Sequence, residues 1–425
     1  MLHAVKATAV VSARGVARIR AGHPWIFRDD ISRGPERDAS DGGPFLVDVT
    51  DGRGKLLGRA TWAKAARIGL RMLGRIGDGA DGAQGDAAPD GGPPGDGLDA
   101  LLQLAARRLE AALRRRLADR YDRDAYRVVH AEADGLPGLI VDRYADAAVM
   151  QTTSVAMNAA RDALAARLAQ RLGVRVVLAR DDGSARDFEG LPRFAGVVAG
   201  AGNTRVAYRL GPNTFEADLL TDGKTGGFLD QADNHAAVAA LAPQGARALD
   251  AFTYHGGFAL ALARRGGAVL ATDEAAPAVA RARANAARNG LDRLEVRQAN
   301  AFDLLRTLEG EGARFDVVVV DPPALAKRGG STGRAAEAAL TAADRAYKEL
   351  FLRGARLTEP GGLLVACSCS GRITRPHFEE LITAALADAG RSAQILARNG
   401  AGRDHPELVG VPETGHLKCW VLRVF

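Results

Sequence analysis

The chain of 425 residues contains only three cysteines, Cys367, Cys369 and Cys419. Two are nearly adjacent, so they cannot form a disulfide framework, and a reducing compartment is expected. No run reaches the ~18 uninterrupted apolar residues that a helical membrane span needs, so no membrane partner is expected. The opening "MLHAVKATAVVSARG" has no apolar core of signal-peptide length, and the expected location is cytoplasmic. Lysine is also scarce, at seven of 57 basic residues. The other basic residues are arginines, and a net charge of +6 gives a mild bias toward polyanionic partners. A compact ammonium and a planar guanidinium are not interchangeable, so Lys224, Lys327, Lys348 and Lys418 attract attention where arginine is the rule.

What is present divides along the chain. Residues 1–75 alternate in short β-like runs such as "FLVDV", separated by Gly/Asp turns, and predict a small β-rich domain. Residues 76–98, rich in Gly, Asp, Pro and Ala, bury too little surface to offset their ordering entropy and predict a flexible linker. Residues 99–205 mix helical spacing ("LDALLQLAARRLEAALRRRLA") with strand-like runs and predict a central α/β domain. Residues 206–425 alternate strands and helices. The expected strands are 246–252, 268–273, 293–299, 315–323, 361–370 and 419–425. That pattern predicts an α/β, Rossmann-like, doubly wound sheet with its ligands at the carboxyl ends of the strands.

"LDAFTYHGGFALALARRGG" reads as strand, glycine turn, helix. Asp250 and Phe252 end the strand, Gly256 and Gly257 allow close backbone approach, and helix-start N–H groups face the ligand. It is not G-x-G-x-x-G, so a dinucleotide is not the first expectation. The next strand ends on Asp273, which can accept from both hydroxyls of a ribose, and a third offers the Asn300 amide to an adenine edge. "DGKTGGFLDQ" suggests a polar loop in which Lys224, Thr225 and Gly226 meet a methionine carboxylate, with Asp230 at its ammonium and Gln231 alongside. Asp321 sits at the mouth of "VVVVDPPA", stiffened by two prolines, where a carboxylate can hold a planar base. The ordered set resembles class I S-adenosyl-L-methionine methyltransferases.

Residues two apart in an extended segment share a side, so Cys367 and Cys369 do. Without a C-x-x-C pair a metal is not expected. Cys367 suits core filler. Cys369, nearer the carboxyl end, reads as filler or as a nucleophile. Carbon 5 of a pyrimidine needs a thiolate at carbon 6 before it can attack a methyl group, which is covalent catalysis. A cation such as Lys348 or Arg372 would favour the thiolate.

"DPPALAKRG", "AYKELF", "CSCSG", "RDHP" and "HLKCW" follow one another as in the PUA-domain-containing cytosine-C5 methyltransferases of large-subunit ribosomal RNA. "GHPWIF" resembles the start of their PUA domain and "AEADGLPGLIVDRY" their central domain. The resemblance implies Cys369 as nucleophile, Asp321 orienting cytosine and Asp273 on ribose, with Asn300 where an aspartate is usual. It also implies a PUA-like RNA-binding domain, with His23, Trp25 and Arg28 as candidate contacts among arginines 14, 18, 20 and 33. Expected partners are ribosomal RNA and a second copy as a homodimer. Two other readings stay open: methylation of a guanine or adenine nitrogen beside "DPP", and a non-catalytic ribosome-assembly factor.

Overall fold

A computed structural model describes residues 7–75, 95–118, 122–325 and 334–425. Residues 76–94 of the expected linker, and the end of "DPPALAKRG" with Lys327, lie outside the described residues. The chain forms two compact units. The first comprises Met1–Tyr208, Asp218–Gly226 and Pro406–Val411, and the second Arg209–Ala217, Gly227–His405 and Pro412–Phe425.

Two sheets lie in the first unit. Trp25–Phe27, Ile68–Arg75, Leu56–Trp62, Leu46–Thr50, Thr8–Val11 and Ile31–Arg33 form a six-stranded sheet in that spatial order. Only Thr8–Val11 and Leu46–Thr50 run parallel. Inward side chains such as Val47, Val49, Ala60, Trp62 and Leu70 make its core. A five-stranded sheet runs Phe194–Gly200, Val176–Asp181, Ala147–Thr152, Leu139–Tyr144, Ala125–His130. The helices Leu98–Ala118 and Arg161–Leu172 present their leucines to a core that also takes in Leu46 and Leu73 of the first sheet. Residues 1–75 and 99–205, expected as two domains, both lie in this compact unit, each with its own sheet.

The second unit carries seven strands in the order Leu294–Gln298, Val269–Asp273, Ala248–Ala251, Phe315–Val320, Thr358–Ser368, Lys418–Val424, Ala393–Asn399. Its first five strands are mutually parallel, and Lys418–Val424 is antiparallel to both its neighbours. Val317 to Val320 are all fully buried, as a parallel strand covered on both faces demands. Chain order reverses at Ala248–Ala251, which makes that point the natural ligand crevice. Register aligns the strand ends there: Ala251 is opposite both Thr272 and Val320, and Val320 is opposite Ala366. Ala393–Asn399 has no counterpart among the expected strands. It is an edge strand with alternating exposure and no continuous apolar run.

Candidate active site

The loop after Ala251 is tightly bent. Phe252 and Tyr254 have φ of 68° and 51°, which bulky residues adopt only where the surroundings force it. Asp250, fully buried, ends the strand. Its Oδ2 accepts from the Thr253 hydroxyl at 2.6 Å and from the Ala259 N–H at 3.0 Å. Its Oδ1 is buried with no hydrogen-bond partner among the described residues. Asp273 receives the N–H of Tyr254 on Oδ2 at 3.0 Å and that of Ala275 on Oδ1 at 2.9 Å. These two bonds orient the carboxylate and leave it lone pairs for a diol. Gly256 is left-handed (φ 91°), and a Cβ at Gly257 would strike the His235 ring. A buried carboxyl oxygen without a protein partner, an oriented carboxylate and a glycine cradle suit a ribose-bearing ligand.

Burial pushes the Asp250 carboxyl up to about 7, against the Thr253 hydroxyl, with Asp321 and then Asp273 adding to the rise. The folded protein thus holds this proton up to about pH 7, whereas an unfolded aspartate loses it near 3.8. Between those values unfolding releases the proton, so stability falls as pH rises from about 4 to 7, by an amount on the order of a few kcal/mol. Asp250→Asn keeps both acceptor bonds, and it should flatten this slope in urea unfolding between pH 5 and pH 8.

The candidate reacting residues lie at the ends of the next two strands. Asp321 follows Val320 half-buried, and its Oδ2 accepts from Gln231 Nε2 at 2.9 Å. Cys367 is fully buried opposite Cys419, and burial pushes its thiol well up, helped by Cys419. Cys369, just past the strand end, is partly exposed while the other two cysteines are buried. Tyr347 is buried beneath this turn. Its hydroxyl accepts from Ser368 Oγ at 3.0 Å and bonds Ser370 Oγ at 2.9 Å. Burial raises its phenol, and Cys369 is close enough to add to the effect. Lys418, 1% exposed, donates to the carbonyls of Ser370, Ile373 and His416 at 2.8, 2.9 and 2.8 Å. Tyr347 was invisible to motif reading, although it lies inside "AYKELF". Lys418 had one signal, its rarity.

Several expectations are corrected. Lys348 does not reach the thiol: its ammonium pairs with Asp388 at 2.7 Å. Asp388 ends the helix Arg375–Ala389, whose beginning follows the Cys369 turn, and at 1.5 Å per residue the two ends are roughly 20 Å apart. One step along a helix turns a side chain by about 100°, so Tyr347 faces the site and Lys348 does not. Thr225 spends its hydroxyl on Asp142 at 2.7 Å and Tyr144 at 3.0 Å, buried in the first unit. Lys224 (φ 53°) and Gly226 (φ 131°) shape that turn. Gln231 is 2% exposed, and its amide serves Asp321 and Asn234 rather than a ligand. Asp230 is buried, with His416 Nε2 at 3.6 Å from its Oδ2. Asn300 caps the helix Ala301–Gly310, accepting from the N–H groups of Phe302 and Asp303, so toward an adenine it has only donors to offer. The helix-start donors are also partly spent, since Ala259 N–H goes to Asp250.

In the first unit, Trp25 is half-buried and its indole N–H donates to Glu132 at 2.8 Å. Arg71 lies over its ring and pairs with Glu132 and Glu189. That gives Trp25 a packing role on its indole edge, the alternative reading of this tryptophan. His23 Nδ1 accepts from the Trp25 N–H at 3.1 Å. Arg28 is exposed, its guanidinium 5.2 Å from the centre of the Trp62 ring. Arg14 and Arg18 both pair with the buried Asp30. Among the described residues no cluster of His, Cys, Asp or Glu could hold a metal ion, and no helix is long and apolar enough to cross a membrane.

Residues 10–75 match a family described as a PUA-like domain, and residues 243–401 match a methyltransferase domain. The chain is 33% identical over 408 residues to the ribosomal RNA large subunit methyltransferase I of Erwinia tasmaniensis, covering 95% of each. It is 34% identical over 410 residues to the protein of that name from Aeromonas hydrophila, covering 94% of this chain and 95% of that one. Among solved structures, a SAM-dependent methyltransferase from Streptococcus mutans superimposes with a TM-score of 0.72 at 16% identity, over 98% of this chain and 99% of that one. Another methyltransferase, complexed with SAH, superimposes with a TM-score of 0.74 at 17% identity, again over 98% and 99%.

Proposed function

Because the chain belongs to the ribosomal RNA large subunit methyltransferase I family, we propose that it methylates carbon 5 of a cytosine in large-subunit ribosomal RNA, through a covalent adduct of Cys369 to carbon 6. The cofactor is S-adenosyl-L-methionine, which supplies an electrophilic methyl group when bound. Asp250, Asp273 and the Gly256–Gly257 turn would hold it. The observation that carries the reading is the contrast among three cysteines: Cys369 alone is accessible, at the strand end beside that of Asp321.

In this reading the Cys369 thiolate adds to carbon 6, and the ring electrons move to carbon 5, which would take the methyl group as its bond to the sulfonium sulfur breaks, the electron pair of that bond leaving with the S-adenosylhomocysteine. Loss of the carbon 5 proton to a base returns electrons to the ring and expels the thiolate. Asp321, or a water it holds, is the base we assign. A reducing cytoplasm keeps Cys369 a thiol. Residues 1–75, with Arg28 exposed, would supply the RNA-binding domain.

Mass mapping of ribosomal RNA nucleosides from cells with and without the gene tests this. Loss of one 5-methylcytosine is expected, and loss of a methylated purine instead would overturn it. Asp273→Ala should weaken S-adenosylmethionine binding about 10–100-fold by calorimetry, the loss expected for one or two charge-assisted hydrogen bonds. An unchanged affinity would remove Asp273 from the ribose.

A further inference from the structure

Asp321 is held by a chain of amides whose direction has only one solution. The Gly400 carbonyl can only accept. Asn234 Nδ2 lies 2.9 Å from it and 2.6 Å from Gln231 Oε1. Turning the Asn234 amide over would set oxygen against the Gly400 carbonyl, so Asn234 must present its NH2 group there. That NH2 group also fixes Gln231, which must answer with its oxygen. Gln231 Nε2 therefore faces Asp321 Oδ2, at 2.9 Å. Asn234 and Gln231 are 3% and 2% exposed, so water cannot reset the polarity. Each link is anchored by the one before it, and the first is main chain.

We propose that this relay, Gly400–Asn234–Gln231–Asp321, holds Asp321 as a hydrogen-bond acceptor and so makes the site choose a base with an exocyclic amine over one with a carbonyl there: cytosine over uracil. The inference rests on the reading of the reaction given above and adds Gln231 and Asn234 as positioning residues for specificity. An amide donor on a carboxylate favours its ionised form over the acid. Facing the amine of cytosine, such a carboxylate gains a charge-assisted bond. Facing the O4 of uracil, it meets another acceptor and loses the bond outright. Asp250, on the strand to one side, and Cys367, on the strand to the other, both feel the Asp321 charge, and Cys369 stands at the neighbouring strand end. Asp250 and Cys367 carry raised values, so each tends to hold its proton. The relay's amide is a donor that favours the carboxylate form.

The test uses the full chain without methyl donor, and measures binding to two ribosomal RNA fragments. One carries the mapped target cytosine and the other uracil in its place. The wild-type protein should prefer the cytosine fragment about 10–100-fold. Asn234→Asp offers Gln231 an acceptor instead of a donor and turns its amide over; the preference should fall to within about threefold of unity. Gln231→Met, of similar volume and without a donor, should do the same, and it covers the case in which Asn234→Asp does not fold. A merely structural role would weaken both fragments alike, and a wild-type ratio in the variants overturns the proposal. If the wild-type protein itself shows no preference, or the mapped product is not 5-methylcytosine, the reading of the reaction fails first and the relay's role fails with it.

Discussion

Under the proposed covalent mechanism Cys369→Ala should abolish methyl transfer, with a loss on the order of 10⁴-fold or more, because removing a covalent nucleophile removes the pathway rather than one contact. Neither remaining thiol can stand in. Cys367 and Cys419 are fully buried, and burial together with Cys419 keeps the Cys367 thiol well above its ordinary value, hence protonated. Cys367→Ala should accordingly retain activity. An RNA bearing 5-fluorocytosine at the target has no carbon 5 proton to lose, so the wild-type enzyme should stay bonded to it. A shifted band on a denaturing gel reports this, and the band should vanish in Cys369→Ala. Full activity in Cys369→Ala, with nucleosides quantified by mass spectrometry, would end the covalent mechanism. It would favour transfer to a ring nitrogen beside Asp321.

The second large effect is on the fold. Lys418→Met should destabilise the second unit by about 3–5 kcal/mol, since it strips three carbonyls of their donor at about 1–3 kcal/mol for each one left buried and unpaired. The ammonium satisfies three carbonyls, two of them in the turn that follows Cys369. Methionine fills the volume but leaves those carbonyls dry and unpartnered. Ser368 lies directly across from Lys418 in the sheet, so the loss falls on the segment that aims Cys369. Thermal unfolding should shift down by roughly 10 °C, and transfer activity should fall even below that transition. Lys418→Arg should not rescue, since a planar fork cannot reach three carbonyls arranged around a point charge. An unshifted melting profile would show that the turn holds without the lysine.

Much of the second unit was legible in the sequence, because its strands are short apolar runs closed by acids. Val317–Val320, Asp250, Asp273 and Asp321 all stand where those runs end. The Ala393–Asn399 strand was not legible: an edge strand with one face in water has no apolar run to announce it. Lys348 was misread because motif reading gives a residue's place in the chain and not its angle on a helix. Thr225, Gln231 and Asn300 differ from their motif roles for another reason. Each is a polar group whose hydrogen bond is claimed by a residue distant in sequence or, for Asn300, by its own helix start. A motif cannot show that a donor is already spent.

By itself the sequence determined the class of fold, the carboxylates at the strand ends and the accessible thiol's place among them, since local apolar periodicity and turn chemistry operate within a few residues. Tertiary structure alone decided strand order, which cysteines are buried, and the direction of the amide chain that reaches Asp321. Those depend on contacts between residues as far apart as Asn234 and Gly400, where pairing consumes hydrogen-bonding capacity that no linear pattern records.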